Sequence, residues 1–271
     1  MHCRGGDSVN KKQQHNKITP LSGNRPFSAE KGTNMNIEID KVYNMDCIDL
    51  MREMANNGVL VDGIITDPPY LINYKTGRRQ DKDDKFCKAI IGDSNEQLIT
   101  DYIKLCYDIM KDNTAIYCFC NADKIDVFKR EIDKYFTIKN IIIWVKNSWT
   151  AGDLEAQMGK QYEMCIYANK GRACFNDNLK RPTDIWYCNR VSGNDQIHQN
   201  QKPLDLIYKM LQLSTKKGDT IFDGFMGSFT TAVACHKMQR HFIGAELDKE
   251  YFALGQKRLQ EVQNQISMFD L

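Results

Sequence analysis

The 271-residue sequence has no apolar run near the roughly 18 residues that a membrane-spanning helix needs, so no span is expected. Its opening, MHCRGGDSVNKKQQHNK, is basic but has no apolar core, and is not read as a secretory signal. There is no pair of CxxC units, and His236 and His241 have no partners at zinc-ligand spacing, so no metal site is expected. The ten cysteines lie mostly inside apolar stretches such as AIYCFC and YEMCIYA, where a thiol packs as a small hydrophobe. They are read as reduced thiols of a cytoplasmic protein. Proline is scarce, six in all, which sets apart the adjacent pair Pro68 and Pro69.

A strong excess of either charge is also lacking. Residues 1–34 carry six Lys/Arg and two Asp/Glu, which leaves 31 basic and 33 acidic side chains over the other 237 residues. The body is therefore slightly acidic, and a nucleic-acid partner would need a local basic surface rather than a global one. Residues 1–34 are rich in Lys, Gln, Asn, Ser and Gly, cannot bury enough surface to offset their ordering entropy, and are expected to be a disordered N-terminal extension. Residues 35–271 are expected to form a single domain.

What is present is an alternation of short apolar runs with helical patterns. IEIDKVYN, VLVDGIIT, TAIYCFC, TIKNIIIWVK, YEMCIYANK, DTIFDGF and HFIGAEL read as strands. CIDLMREMANN, EQLITDYIKLCYDIMK, KIDVFKREIDKYF, PLDLIYKMLQLST, FTTAVACHKMQR and KEYFALGQKRLQEVQNQ read as helices. Such alternation predicts an α/β fold with a largely parallel sheet of seven strands and helices on both faces. Two segments break the rhythm. Residues 71–92 are polar and charged, and read as a mobile functional loop. Residues 171–201 have weak periodicity and many turn formers, and read as an inserted, target-specific segment.

The VLVDGIIT strand runs into Asp67, Pro68, Pro69 and Tyr70. Each proline lacks an N–H and has a fixed φ, so neither a sheet nor a helix interior continues there. By itself DPPY is a rigid turn. The second constellation is GDTIFDGFMGSFTTAVACHK. A strand ends at Asp223, a turn holds Gly224 and Gly227, and a helix begins near Ser228. That is the layout of a nucleotide site at the carboxyl end of a parallel strand. About 20 residues past Gly227 comes Glu246, placed to accept hydrogen bonds from ribose hydroxyls. Equally, Asp223 can cap the next helix and Glu246 can be a solvated strand-end charge.

DPPY, then the variable segment, then QKP (Gln201, Lys202, Pro203), then DGFMGSFTT resembles in that order the β group of DNA amino-methyltransferases. These are the adenine-N6 and cytosine-N4 enzymes of DPPY type, in which the catalytic half precedes the cofactor half. NMDC before the first helix, IIIWVKN in mid-chain and YEMCIYANKG before the insert add to the likeness, which covers about residues 35–260. The resemblance implies a Rossmann-like methyltransferase fold of circularly permuted motif order, S-adenosylmethionine (SAM) as cofactor and double-stranded DNA as partner. A homodimer is compatible with it.

The resemblance also implies roles. Asp67 and the Pro68 carbonyl each accept one N–H of the target amine, Pro69 stiffens the loop, and Tyr70 stacks on the base flipped from the duplex. Asp46 by its carboxylate and Cys47 by its main-chain N–H read the cofactor's adenine, Glu246 holds its ribose, and Lys202, Ser228 and Thr230 meet its carboxylate. Asp67, Asp223, Phe225 and Gly227 complete that set. Lys75, Arg78 and Arg79 in the polar loop, and Lys180, Arg181 and Arg190 in the insert, are expected DNA contacts. Asp rather than Ser before PPY favours adenine over cytosine. The other readings are a cytosine-N4 enzyme, an RNA adenine methyltransferase, and a non-catalytic DNA-binding homologue. The cofactor turn departs from the family's D-P-F-x-G-S-G-T, with Gly224 in place of the proline and Phe229 in place of the second glycine. Either the ring packs inward beneath the helix or cofactor affinity is weakened.

Overall fold

The computed structural model describes residues 35–71, 93, 95–149, 155–176, 180–193, 196–198 and 200–269. The extension 1–34 and the loop carrying Lys75, Arg78 and Arg79 lie outside the described residues. The strands are β1 (Lys41–Tyr43), β2 (Val61–Thr66), β3 (Met110–Cys120), β4 (Thr137–Val145), β5 (Tyr162–Lys170), β6 (Ile185–Tyr187), β7 (Thr220–Asp223) and β8 (His241–Ala245). The helices are α1 (Cys47–Asn56), α2 (Glu96–Ile109), α3 (Ile125–Asp133), α4 (Leu204–Ser214), α5 (Thr230–Lys237) and α6 (Lys249–Phe269).

Strand pleating decides the layers, because successive side chains point to opposite faces. Ile64 and Ile116 are buried in one core, with Leu50 and Met54 of α1, Tyr102 and Cys106 of α2, and Phe128 of α3. Their neighbours Ile65 and Tyr117 are buried in the other, with Leu206 and Met210 of α4, Ala232 of α5 and Leu259 of α6. Helices α1–α3 thus cover one face and α4–α6 the other. Local signals start and stop them. Asp46 caps α1 by accepting the Ile48 N–H at 2.7 Å, and Gly58, at φ +67°, turns the chain away at its end.

Among the described residues the sheet has eight strands in the order β1-β8-β7-β2-β3-β5-β4-β6, one more than the sequence predicts. Pairing is parallel throughout except at β5, which runs antiparallel to both β3 and β4. The eighth strand, β6, comes from the segment 171–201, which carries no strand pattern of its own. Three residues are too few to show a period. What makes them a strand is tertiary: Ile185–Tyr187 pair with Ile143–Val145, and Trp186 buries its ring there while donating to the Thr183 carbonyl at 2.7 Å. Asn176 ties the same segment to α4, its side chain donating to the Gln212 and Thr215 carbonyls at 2.6 and 2.7 Å.

The arrangement that matters for function is the neighbourhood of β2 and β7. They lie side by side and parallel, with Gly63 opposite Ile221 and Ile64 opposite Phe222. From this pair the chain builds outward in both directions, and ligands of open α/β sheets bind at such a switch point, beyond the carboxyl ends of the strands. The two motifs stand at those carboxyl ends.

Candidate active site

Beyond Thr66 the chain leaves β2 through DPPY. Pro68 and Pro69 are buried, and Leu71 follows in the left-handed region at φ +61°. A leucine there carries backbone strain of about 1–3 kcal/mol, held by its buried side chain. The loop is thus fixed at both ends. At its start, the Thr66 hydroxyl meets the Tyr102 hydroxyl at 2.6 Å, deep in the core.

Asp67 is the centre of a half-buried charged cluster. One carboxylate oxygen, Oδ2, accepts from Lys202 Nζ at 2.6 Å, and the other, Oδ1, accepts from the Tyr70 hydroxyl at 2.5 Å. Lys202 Nζ also lies 3.1 Å from Glu163 Oε2, and Lys146 Nζ donates to Glu163 Oε1 at 2.5 Å. Burial works against every charge here, and the pairing decides which charges persist. Glu163, although half-buried, has two lysines and is held down to about 2. Asp67 shares one lysine with Glu163, so burial, with Glu163 adding to it, outweighs Lys202 and raises its carboxyl above the ordinary range. Burial alone would lower Lys202, but Asp67 and Glu163 overcome it and hold the ammonium protonated. Burial, then Asp67 and Glu163, push the Tyr70 phenol up, so it stays a hydrogen-bond donor.

Next to Asp67 opens a cleft walled by Thr66 at the end of β2, by Asp67 just beyond it and by the turn from Asp223 to Thr231. Asp223 is buried and arranges the turn: Oδ1 accepts the Phe225 N–H at 3.0 Å and Oδ2 accepts the Thr231 hydroxyl at 2.7 Å. Burial pushes its carboxyl up to about 7. Gly227, at φ +50°, takes the backbone angle that a side chain would strain, and its N–H donates to Glu246 Oε2 at 2.7 Å. Arg258 of α6 donates to the Ser228 carbonyl at 2.8 Å and to Thr230 Oγ1 at 3.1 Å. His198 closes one side, its ring 4.2 Å from that of Tyr251, and burial lowers its imidazole to about 4.

The two departures from the family pattern have physical reasons. A Cβ at position 224 would stand 2.6 Å from Tyr102 Cε2, and the Gly224 N–H donates to the Tyr102 hydroxyl at 3.3 Å. Proline would clash there and lose that bond. Phe229 sits in the left-handed region at φ +59°, so α5 begins at Thr230, later than the sequence predicts. Its ring packs inward, is 1% exposed and meets Phe252 edge-on at 5.7 Å. Of the two alternatives, the ring beneath the helix is the one found.

Of the residues expected at the cofactor, Asp67, Lys202, Asp223, Phe225, Gly227, Ser228 and Thr230 line the cleft. Glu246 reaches it through Gly227. Asp46 and Cys47 do not line this cleft: the Asp46 carboxylate caps α1, and Cys47, expected to act through its main-chain N–H, is the first residue of that helix. Lys202 is placed differently from its expected role, its ammonium engaged by Asp67 and Glu163. Lys180, Arg181 and Arg190 are exposed. Sequence reasoning missed Glu163, Lys146, Tyr102 and His198. A glutamate in the otherwise apolar run YEMCIYA was the available signal, because a half-buried carboxylate needs a partner.

The profile of the DNA methylase family, N6/N4 class, matches residues 61–257. Among curated relatives, the type II methyltransferase M.HinfI of Haemophilus influenzae is 26% identical over 272 residues, covering 88% of this chain and 74% of its own. The DNA adenine methyltransferase YhdJ of Escherichia coli K12 is 28% identical over 235 residues, covering 73% of this chain and 76% of its own. The solved structure of the M1.HpyAVI–SAM complex superposes with a TM-score of 0.65 at 28% identity, over 81% of this chain and 98% of that one. With the DPPY carboxylate beside a glycine turn at the β2–β7 switch point and a matching profile over most of its length, this chain belongs to the N6/N4 DNA methylase family.

Proposed function

We propose that the protein transfers a methyl group from S-adenosylmethionine to the exocyclic N6 amine of adenine in double-stranded DNA. The observation that carries this reading is the Asp67 carboxylate at the wall of the cleft formed by the Asp223–Thr231 turn. The cleft fits the cofactor. Gly227 brings bare backbone to the cleft beside the His198 ring, Phe225 offers a ring, and Glu246, bonded to the Gly227 N–H, would accept from the ribose hydroxyls. Buried Asp223 and nearby Asp67 suit a cationic guest. When bound, the cofactor supplies an electrophilic methyl on a sulfonium leaving group.

The protein's own task is orientation. The N6 lone pair of adenine is delocalised into the ring, so the amine needs geometry rather than a strong base. Asp67 and the Pro68 carbonyl accept its two N–H bonds and aim the lone pair at the cleft. Positive charge developing on N6 is stabilised by Asp67, whose raised pKa also suits it to take up the departing proton and release it to water. The face of Tyr70 receives the flipped base. Asp ahead of PPY supports adenine over cytosine, and the adenine enzyme YhdJ is a relative.

Residues 35–271 act in this reading as one domain, with 171–201 contributing to target choice. Exposed Lys180, Arg181 and Arg190 meet the duplex backbone, together with Lys75, Arg78 and Arg79. Two exposed aromatic side chains join them, Trp149 at 67% and Tyr187 at 82%. Tyr187 pairs in register with Val145 at the carboxyl end of β4, the end that carries Lys146.

The test is incubation with methyl-labelled SAM and duplex DNA, then digestion to nucleosides. N6-methyladenine is expected, and D67A is expected to abolish turnover while leaving SAM binding weakened but measurable. N4-methylcytosine as the sole product would overturn the adenine assignment, and preferential labelling of RNA would overturn the DNA assignment.

A further inference from the structure

Glu163 belongs to neither motif. It lies on β5, the antiparallel strand, opposite Trp144, yet it closes the charged cluster around Asp67. Counting charges shows why that matters. Asp67 and Glu163 are balanced by Lys202 and Lys146, two against two. Without Glu163, Lys202 would pair with Asp67 alone and Lys146 would lose its partner in the cluster. Both donors that occupy Asp67 also reach Glu163: Lys202 Nζ at 3.1 Å and the Tyr70 hydroxyl at 3.2 Å, each to Oε2. A target amine approaching Asp67 has to compete with these two donors, and Glu163 is the acceptor next to both of them.

We propose that Glu163 is a positioning residue: it takes over the Lys202 ammonium and the Tyr70 hydroxyl when the target amine engages Asp67, so that the charge of Asp67 serves the amine. This rests on the reading of Asp67 as the acceptor of the target N–H. The carboxylate of Glu163 does not touch the amine; it sets how much of Asp67 is available. Because burial raises Asp67 and Glu163 adds to that, removing the Glu163 charge lets Lys202 draw Asp67 down. Among the described residues, the other ionisable groups facing Asp67 are Tyr70, Cys118, Cys120, Cys165 and, from the cofactor turn, Asp223. Those facing Glu163 besides Asp67, Lys202 and Lys146 are, among the described residues, Tyr70, Cys120 and Cys165. Burial pushes the Cys120 thiol up to about 12 and the Cys118 and Cys165 thiols well above the ordinary range, so none charges in the working range.

The experiment compares wild type, E163Q, E163D and K146M. In E163Q, kcat is expected to fall by about 10²-fold, the scale for a misplaced catalytic group, with the KM for DNA and the Kd for SAM held within about 2-fold. The acid limb of the kcat profile moves to lower pH in E163Q and to higher pH in K146M, where Glu163 holds Lys202 more strongly. E163D recovers part of kcat. A loss of packing alone would lower melting temperature without moving the limb in opposite directions. Carbon-13 titration of the Asp67 carboxyl, without SAM or DNA, reads the same coupling apart from turnover and is expected to give a lower pKa in E163Q. An unmoved Asp67 titration, or wild-type kcat in E163Q, overturns the proposal. If wild type methylates no adenine, the functional reading fails while the titration still decides the coupling.

Discussion

The Phe229 ring occupies the space that a side chain at Gly255 would fill. A Cβ built at Gly255 would stand 2.3 Å from Phe229 Cδ1. Glycine inside a helix costs about 1 kcal/mol against alanine, and α6 carries that cost because the ring of the cofactor turn lies against it. The bulky residue in the left-handed cap and the small residue in the last helix are one packing solution.

The sign of a Gly255 substitution should therefore depend on position 229. In wild type, G255A is expected to destabilise by about 1–3 kcal/mol, since ring or helix must shift. F229G removes a buried ring at about 3–5 kcal/mol and returns about 1–2 kcal/mol of left-handed strain. In the F229G background, G255A turns stabilising by up to about 1 kcal/mol. Denaturant unfolding of the four proteins measures the cycle, and additive effects would contradict the shared packing.

Tyr102 links the two motifs through one hydroxyl, bonded to Thr66 Oγ1 and to the Gly224 N–H. Y102F leaves these buried groups without that partner and is expected to cost about 1–3 kcal/mol. Because the hydroxyl joins the loop that holds Asp67 to the turn that walls the cleft, kcat should fall as well. Restoring the family's proline in G224P is expected to destabilise the wild type and to do so less in a Y102A background. Melting temperature and single-turnover rates, taken together, check both.

The alternation of strands and helices was legible because it depends on local periodicity, and DPPY because paired prolines are locally decisive. What was not legible is pairing at a distance. Tyr70 and Glu163 are 93 residues apart, and Tyr102 and Gly224 are 122 apart. No local pattern states that they meet. The strand Ile185–Tyr187 was hidden for a related reason: its hydrogen bonds to β4, not its own residues, define it. Asp46 shows the opposite limit, since a carboxylate ahead of a helix fits both a cap and a ligand contact, and here the side chain caps.

Two buried groups of the cleft should tilt the stability–pH curve in opposite directions. Asp223 rises from an ordinary 3.8 to about 7, so the fold holds its proton more tightly than the unfolded chain does. Its contribution is present in acid and is lost as pH rises from about 4 through 7. His198 falls from 6.5 to about 4, chiefly by burial and then by Lys202, so its contribution is present above 6.5 and lost as pH falls. Between these values the two oppose. D223N should leave stability climbing from pH 4 to 6.5, and H198Q should leave it falling. Urea midpoints across that range measure the slopes.

The exposed rim beyond β4 and β6 should separate charge from stacking. R181A and R190A each remove a proposed phosphate contact, and each is expected to flatten the salt dependence of DNA affinity by about one unit of log–log slope. Y187A and W149A remove rings that are exposed in the free protein. Each is expected to weaken binding by about 1–3 kcal/mol if it stacks on a base, with the salt slope unchanged. SAM affinity should stay the same in all four, because none of these residues lines the cleft. Fluorescence anisotropy with labelled duplex at several salt concentrations distinguishes the two classes. An unchanged affinity in both aromatic variants would remove Trp149 and Tyr187 from the interface while leaving the arginines in place.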